Sequence, residues 1–95
     1  MGSFSSRLRS TRELAGDLSA RELARLAGLS EAIVGFVERG STESPHLLNA
    51  IDLARVLGVD VTWLGTGVGD EPTAETVRTA VAAARAELAA RKGAA

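Results

Sequence analysis

Side chains able to do covalent or metal chemistry are few in this chain, and their spacing does not favour it. His46 is the one histidine and there is no cysteine, so a zinc cluster of cysteines and histidines cannot be assembled, and no nucleophile–base pair stands out in the spacing. Asp70, Glu71 and Glu75 gather just ahead of an apolar-periodic stretch, where carboxylates suit the positive end of a helix without any acid–base role. GTGVG, residues 65–69, has the glycines of a phosphate cradle but no lysine followed by serine or threonine. It also follows a short helical segment instead of a strand, so it reads as a connector. No catalytic residue, metal or cofactor is implied, and the chain does not read as an enzyme. What remains is hydrogen-bonding chemistry. The arginines, serines and threonines on either side of EAIVGFVE, residues 31–38, carry the N–H and O–H donors for it.

The elements that must hold these residues are helices. Phe4, Leu8 and Ala15 recur at helical spacing between arginines and predict a first helix closed by Gly16. Ser19 and Glu22 form an S-x-x-E capping box for a second helix, from about Ala20 to Ala27, which Gly28 ends in the left-handed conformation. Ser30 caps a third, from Glu31 to Arg39, ended by Gly40. In SPHLLNAIDLARVLGVD, Ser44 is the expected cap and Pro45 the first helical residue. Leu47, Leu48, Ile51, Leu53, Ala54 and Leu57 are expected inside, with Gly58 as terminator. Asp60 caps a short fifth helix, VTWL, in which Trp63 packs on the core in preference to stacking on a ligand. After the glycine-rich link, Thr73 caps a sixth helix that starts near Ala74 and reaches Lys92. Its Val77, Val81, Ala84 and Leu88 follow the spacing of a helix-pairing seam.

Composition agrees with a single all-α domain. At 95 residues the chain can build one core, and without cysteine that core must be held by packing or association. No apolar run approaches the roughly 20 residues that span a bilayer. The first residues carry no signal-type apolar stretch, so a cytoplasmic protein with no membrane contact is expected. Eleven basic side chains against twelve acidic ones give a net charge of −1. Any basic footprint must therefore come from arrangement, since nucleic-acid binders usually carry a positive balance.

In ARELARLAGLSEAIVGFVER, residues 20–39, two helices meet across a three-residue turn. Ala24 is small where they cross, Gly28 takes the turn, and Leu23, Leu29, Val34 and Val37 point inward. With FSSRLR, LSARELARLAGLS, VERG, SPHLLNAIDLARVLGV and DVTWLGTGVG, this stretch resembles the Cro/repressor-type helix-turn-helix domains, also called the xenobiotic-response-element family, over residues 4 to about 66. RSTRELAGDLS is one residue longer than the common pattern between the first two helices, and Ala20 stands where the family often has glutamine.

The resemblance implies a five-helix lambda-repressor-like DNA-binding domain, residues 1–69, followed by a C-terminal helix, residues 70–95, as a candidate dimerisation element through Val77, Val81, Ala84 and Leu88. It implies a homodimeric transcriptional regulator, repressor-like, with the helix at about 31–39 in the major groove of double-stranded DNA. Ser30, Glu31, Ala32, Gly35 and Phe36 would face the bases, and Arg21, Arg39, Ser41, Thr42 and His46 the phosphates. That reading face has no arginine, lysine, asparagine or glutamine before Arg39, although these are the side chains that match two groove atoms at once. Glu31 can accept from a cytosine amino group, and Ala32, Ile33 and Phe36 can touch thymine methyls. The other reading is a scaffold used for protein contact or assembly through the apolar face Ala32, Ile33 and Phe36.

Overall fold

The computed structural model describes residues 3–40 and 46–94. All of the regular structure among them is helical, as expected: α1 (Phe4–Leu14), α2 (Ala20–Ala27), α3 (Glu31–Glu38), α4 (Leu47–Leu57), α5 (Val61–Thr66) and α6 (Ala74–Ala94). No helix among the described residues is long and apolar enough to cross a membrane.

Each helix starts where a side-chain oxygen or nitrogen can take up a free amide. Ser19 Oγ accepts from the Glu22 amide at 3.0 Å, Ser30 Oγ from Ile33 at 3.2 Å, Asp60 Oδ1 from Thr62 at 3.0 Å and Thr73 Oγ1 from Thr76 at 3.2 Å. The expected capping box on α2 is only half made, because the Glu22 carboxylate turns away to Arg85. A complete box stands instead on α1, between Ser3 and Ser6. Helix α4 begins at Leu47 with His46 as its cap, whereas the expected Ser44 and Pro45 lie outside the described residues. Helix α5 runs two residues beyond VTWL, to Thr66. Gly58 ends α4 at φ +70°, and a Cβ there would lie 2.5 Å from that of Ala80, so α4 stops against α6 at a point with no room for a side chain.

All six helices feed one core. Leu8, Leu23, Val34, Leu53, Leu57, Leu64, Val77 and Val81 are fully buried in it. Helix α6 packs on α1, α2 and α4, and this corrects the expected seam: Val77, Val81 and Ala84 are buried within the single chain, and Leu88 partly so. The core is therefore continuous across the division expected at residue 69.

A second correction concerns α4, which is apolar nearly all round. Its buried stripe is Ala50, Leu53, Ala54 and Leu57, at i, i+3, i+4 and i+7, with Val56 beside it. Leu47, Leu48 and Ile51, expected inside, are 66%, 63% and 41% exposed: Leu48 and Ile51 lie off that stripe, and Leu47 continues it at the first position of the helix.

Candidate nucleic-acid interface

The geometry of α3 is set from behind. Leu23 of α2 and Val34 and Val37 of α3 are buried between the two helices, and Ala24 is buried with them. Leu29 is partly buried against the same cluster. Gly28 takes the turn at φ +73°. The far end of α3 is fixed by charge. Arg12 donates from Nε to Glu38 Oε2 at 2.7 Å and from a terminal nitrogen to Oε1 at 3.0 Å. A third Arg12 N–H reaches the Leu18 carbonyl at 2.9 Å. Arg9 donates to the Glu38 carbonyl at 2.7 Å. Arg12 thus ties the end of α3 to α1 and to the turn before α2. Nothing local in the sequence marks this pair, since its members stand 26 residues apart.

With its inner face fixed, α3 turns its other face to solvent. Ser30, Glu31, Ala32 and Phe36 are exposed, while Gly35 and Ile33 are partly so. The structure therefore brings the five expected base-facing residues to one surface. Ser30 Oγ already accepts the Ile33 amide, which leaves its hydroxyl hydrogen to donate. Phe36 is 52% exposed, and the Arg39 guanidinium lies over its ring at 5.3 Å from the centroid. That cation interrupts the apolar face on which the protein-contact reading depended.

Around this face, Arg21 is exposed at the start of α2, 3.9 Å from Glu31, which is also exposed. His46 is exposed at the α4 cap. Its Nδ1 accepts from the Leu48 amide at 3.3 Å, an arrangement that leaves the proton of the neutral ring on Nε2. Ser41 and Thr42 lie outside the described residues. The arginines of α1 are engaged within the chain: besides Arg9 and Arg12, Arg7 donates to the carbonyls of Leu64 at 2.8 Å and Gly65 at 2.9 Å.

One further ion cluster was not foreseen. Arg85 of α6 donates two hydrogen bonds to the Glu22 carboxylate, at 2.8 and 2.7 Å, and one to Asp17 at 3.2 Å. These hydrogen bonds hold the Glu22 carboxyl below its ordinary range against the opposing effect of burial, and they raise the Arg85 guanidinium still further. Helix α6 thereby clasps the first turn of α2, the turn that also carries Arg21.

A family model described as Helix-turn-helix matches residues 8–64, inside the stretch of resemblance and spanning α2, the turn and α3. No curated protein and no solved structure matches the chain.

Proposed function

Because the chain belongs to the helix-turn-helix family of DNA-binding regulatory domains, we propose that it controls transcription as a homodimer, with α3 of each copy in the major groove of double-stranded DNA. The observation that carries this reading is the exposed outer face of α3, Ser30 to Phe36, in a chain of that family. Ser30, Glu31, Ala32, Gly35 and Phe36 face the base edges. Arg21, the Nε2–H of His46, and Ser41 and Thr42 beyond α3 meet the phosphates on either side. We place the chain among Cro/repressor-like, xenobiotic-response-element regulators acting in the cytoplasm. With the α6 seam buried in its own chain, the second copy belongs on the exposed apolar start of α4, Leu47, Leu48 and Ile51, which follows α3 directly in the chain.

Binding of the purified protein to a fragment from upstream of its own coding sequence, against an unrelated fragment of equal length at low and near-physiological salt, tests this reading. Affinity that falls steeply with salt and a preference that survives competitor DNA are expected. Methylation of guanine N7, in the major groove, should interfere, whereas methylation of adenine N3, in the minor groove, should not. No retention of either fragment at low salt overturns the proposal and leaves the α3 face to a protein partner.

A further inference from the structure

Arg39 is the C-cap residue of α3, but its charge does not stay at the end of the helix. Long side chains on a helix lean toward its N-terminus, and this one turns back by a full turn. Its guanidinium carbon is 5.3 Å from the centre of the Phe36 ring. A Cβ on Gly35 would stand 3.0 Å from Arg39 Nη1. The missing side chain at residue 35 and the aromatic ring at 36 together form a seat for the cation on the outer face of α3. Glycine in mid-helix weakens the helix relative to alanine, so the seat comes at a cost in helix stability. Cation–π contact holds a guanidinium by its face and leaves its N–H edge free to donate. Among the described residues no carboxylate forms an ion pair with Arg39, whereas Arg21 and Arg55 each have one and Arg85 has two.

The geometry points to Arg39 as a base-reading residue. Its guanidinium donates two N–H bonds to O6 and N7 of a guanine in the major groove, with Phe36 holding its plane and Gly35 leaving its space. This inference rests on the DNA-binding reading above, and it moves Arg39 from the phosphates, where its place after α3 had put it, to the base edges. A phosphate clamp needs charge near the rim of the face. A planar fork folded back onto Phe36 and Gly35, two of the residues that face the bases, fits a base edge better.

The test selects preferred duplexes from a random-sequence pool with the wild-type protein, then measures affinity on the winner and on copies carrying 7-deazaguanine, which lacks N7, at one guanine at a time. The expected result is one guanine per half-site whose N7 loss weakens wild-type binding, on the order of 5- to 150-fold. Arg39→Ala should be indifferent to that replacement while still binding random DNA, and Arg39→Lys, which lacks the planar fork, should respond to it less than the wild type. Gly35→Ala, which crowds the seat without touching the charge, should narrow the difference while leaving the protein as heat-stable or more so. If Arg39→Lys binds the selected duplex like the wild type, and Arg39→Ala weakens every sequence alike and lowers the salt slope by about one unit, Arg39 is a phosphate clamp. The inference is then overturned while the DNA reading stands. If the wild-type protein retains no duplex at low salt, both fail.

Discussion

Arg12 and Glu38, 26 residues apart, meet in a two-pronged ion pair of 2.7 and 3.0 Å in which the carboxylate is buried. It is the fixed point of α3, since the same glutamate also takes Arg9 on its backbone carbonyl. Removing one partner of such a pair leaves an unmatched buried charge, at about 3 kcal/mol or more. In a domain of this size each kcal/mol is worth roughly 4–8 °C. Arg12→Ala should therefore lower the melting temperature by at least about 12 °C. Replacing both partners, Arg12→Met with Glu38→Leu, should recover most of that loss, because a well-packed apolar pair often matches a buried ionic one. Calorimetry of the three proteins checks it. A loss below about 4 °C in the single variant would mean that Glu38 is solvated when alone.

Arg85 and Glu22 give a second contact with a pH signature. The Arg85 hydrogen bonds depress the folded-state pKa of Glu22, so their stabilisation is fully present above the unfolded value of about 4.3. It is lost as pH falls through the lower, folded value. Arg85→Ala should cost about 1 kcal/mol at neutral pH, held to that size by the water around the arginine. The gap in melting temperature between the two proteins should close as pH drops below about 4. Thermal melts from pH 7 to 2.5 read this directly, and a gap that persists unchanged in acid would assign the role of Arg85 to packing.

What was legible in the sequence was local. Ser19, Ser30, Asp60 and Thr73 satisfy amides two or three residues away, so each cap could be read from its neighbours. The inner stripes of α3 and α6 follow from helical spacing alone. The outer face of α3 was legible through the family resemblance. The ion pairs that hold α3 and α6 were not, because residues 26 and 63 positions apart carry no local sign of contact. On α4, leucine and isoleucine stand on the stripe and off it alike, so residue type could not tell Leu53 from Leu48. Gly35 was expected only to face the bases, and having no side chain it leaves room on that face. Part of that room is taken by Arg39, whose fold-back depends on side-chain packing that spacing does not encode.

Arg21 and Glu31 lie 3.9 Å apart and both are exposed, so each weakens the field of the other at the surface offered to DNA. Arg21→Ala should reduce affinity for all sequences alike and lower the slope of log affinity against log salt by about 0.9, the value of one phosphate contact. Glu31→Gln should act in the other direction on random DNA, because it removes a carboxylate from the phosphate field and frees Arg21. It should also change which base is preferred, since glutamine recognises adenine where glutamate accepts from cytosine. Titrations at three salt concentrations on the selected and a random duplex separate the two effects. An unchanged slope in Arg21→Ala would remove that arginine from the phosphate contacts.

Association and stability should separate cleanly between α4 and α6. Val81 is in the core with Val77 and Ala84, and burying such a side chain is worth roughly 1.5–3 kcal/mol. Val81→Asp adds a buried charge to that loss, so it should unfold the protein, not dissociate a folded dimer. Leu48 and Ile51 are exposed on one face of α4. If they form the two-fold contact, the double change Leu48→Asp and Ile51→Asp should yield a folded monomer at concentrations where the wild type is a dimer. Sedimentation with circular dichroism on the same samples measures both properties. The monomer should keep its affinity for an isolated half-site and lose the added strength that two linked half-sites confer. A dimer that survives the double change would place the second copy on another surface, whereas a folded monomer from Val81→Asp would return the dimer to α6.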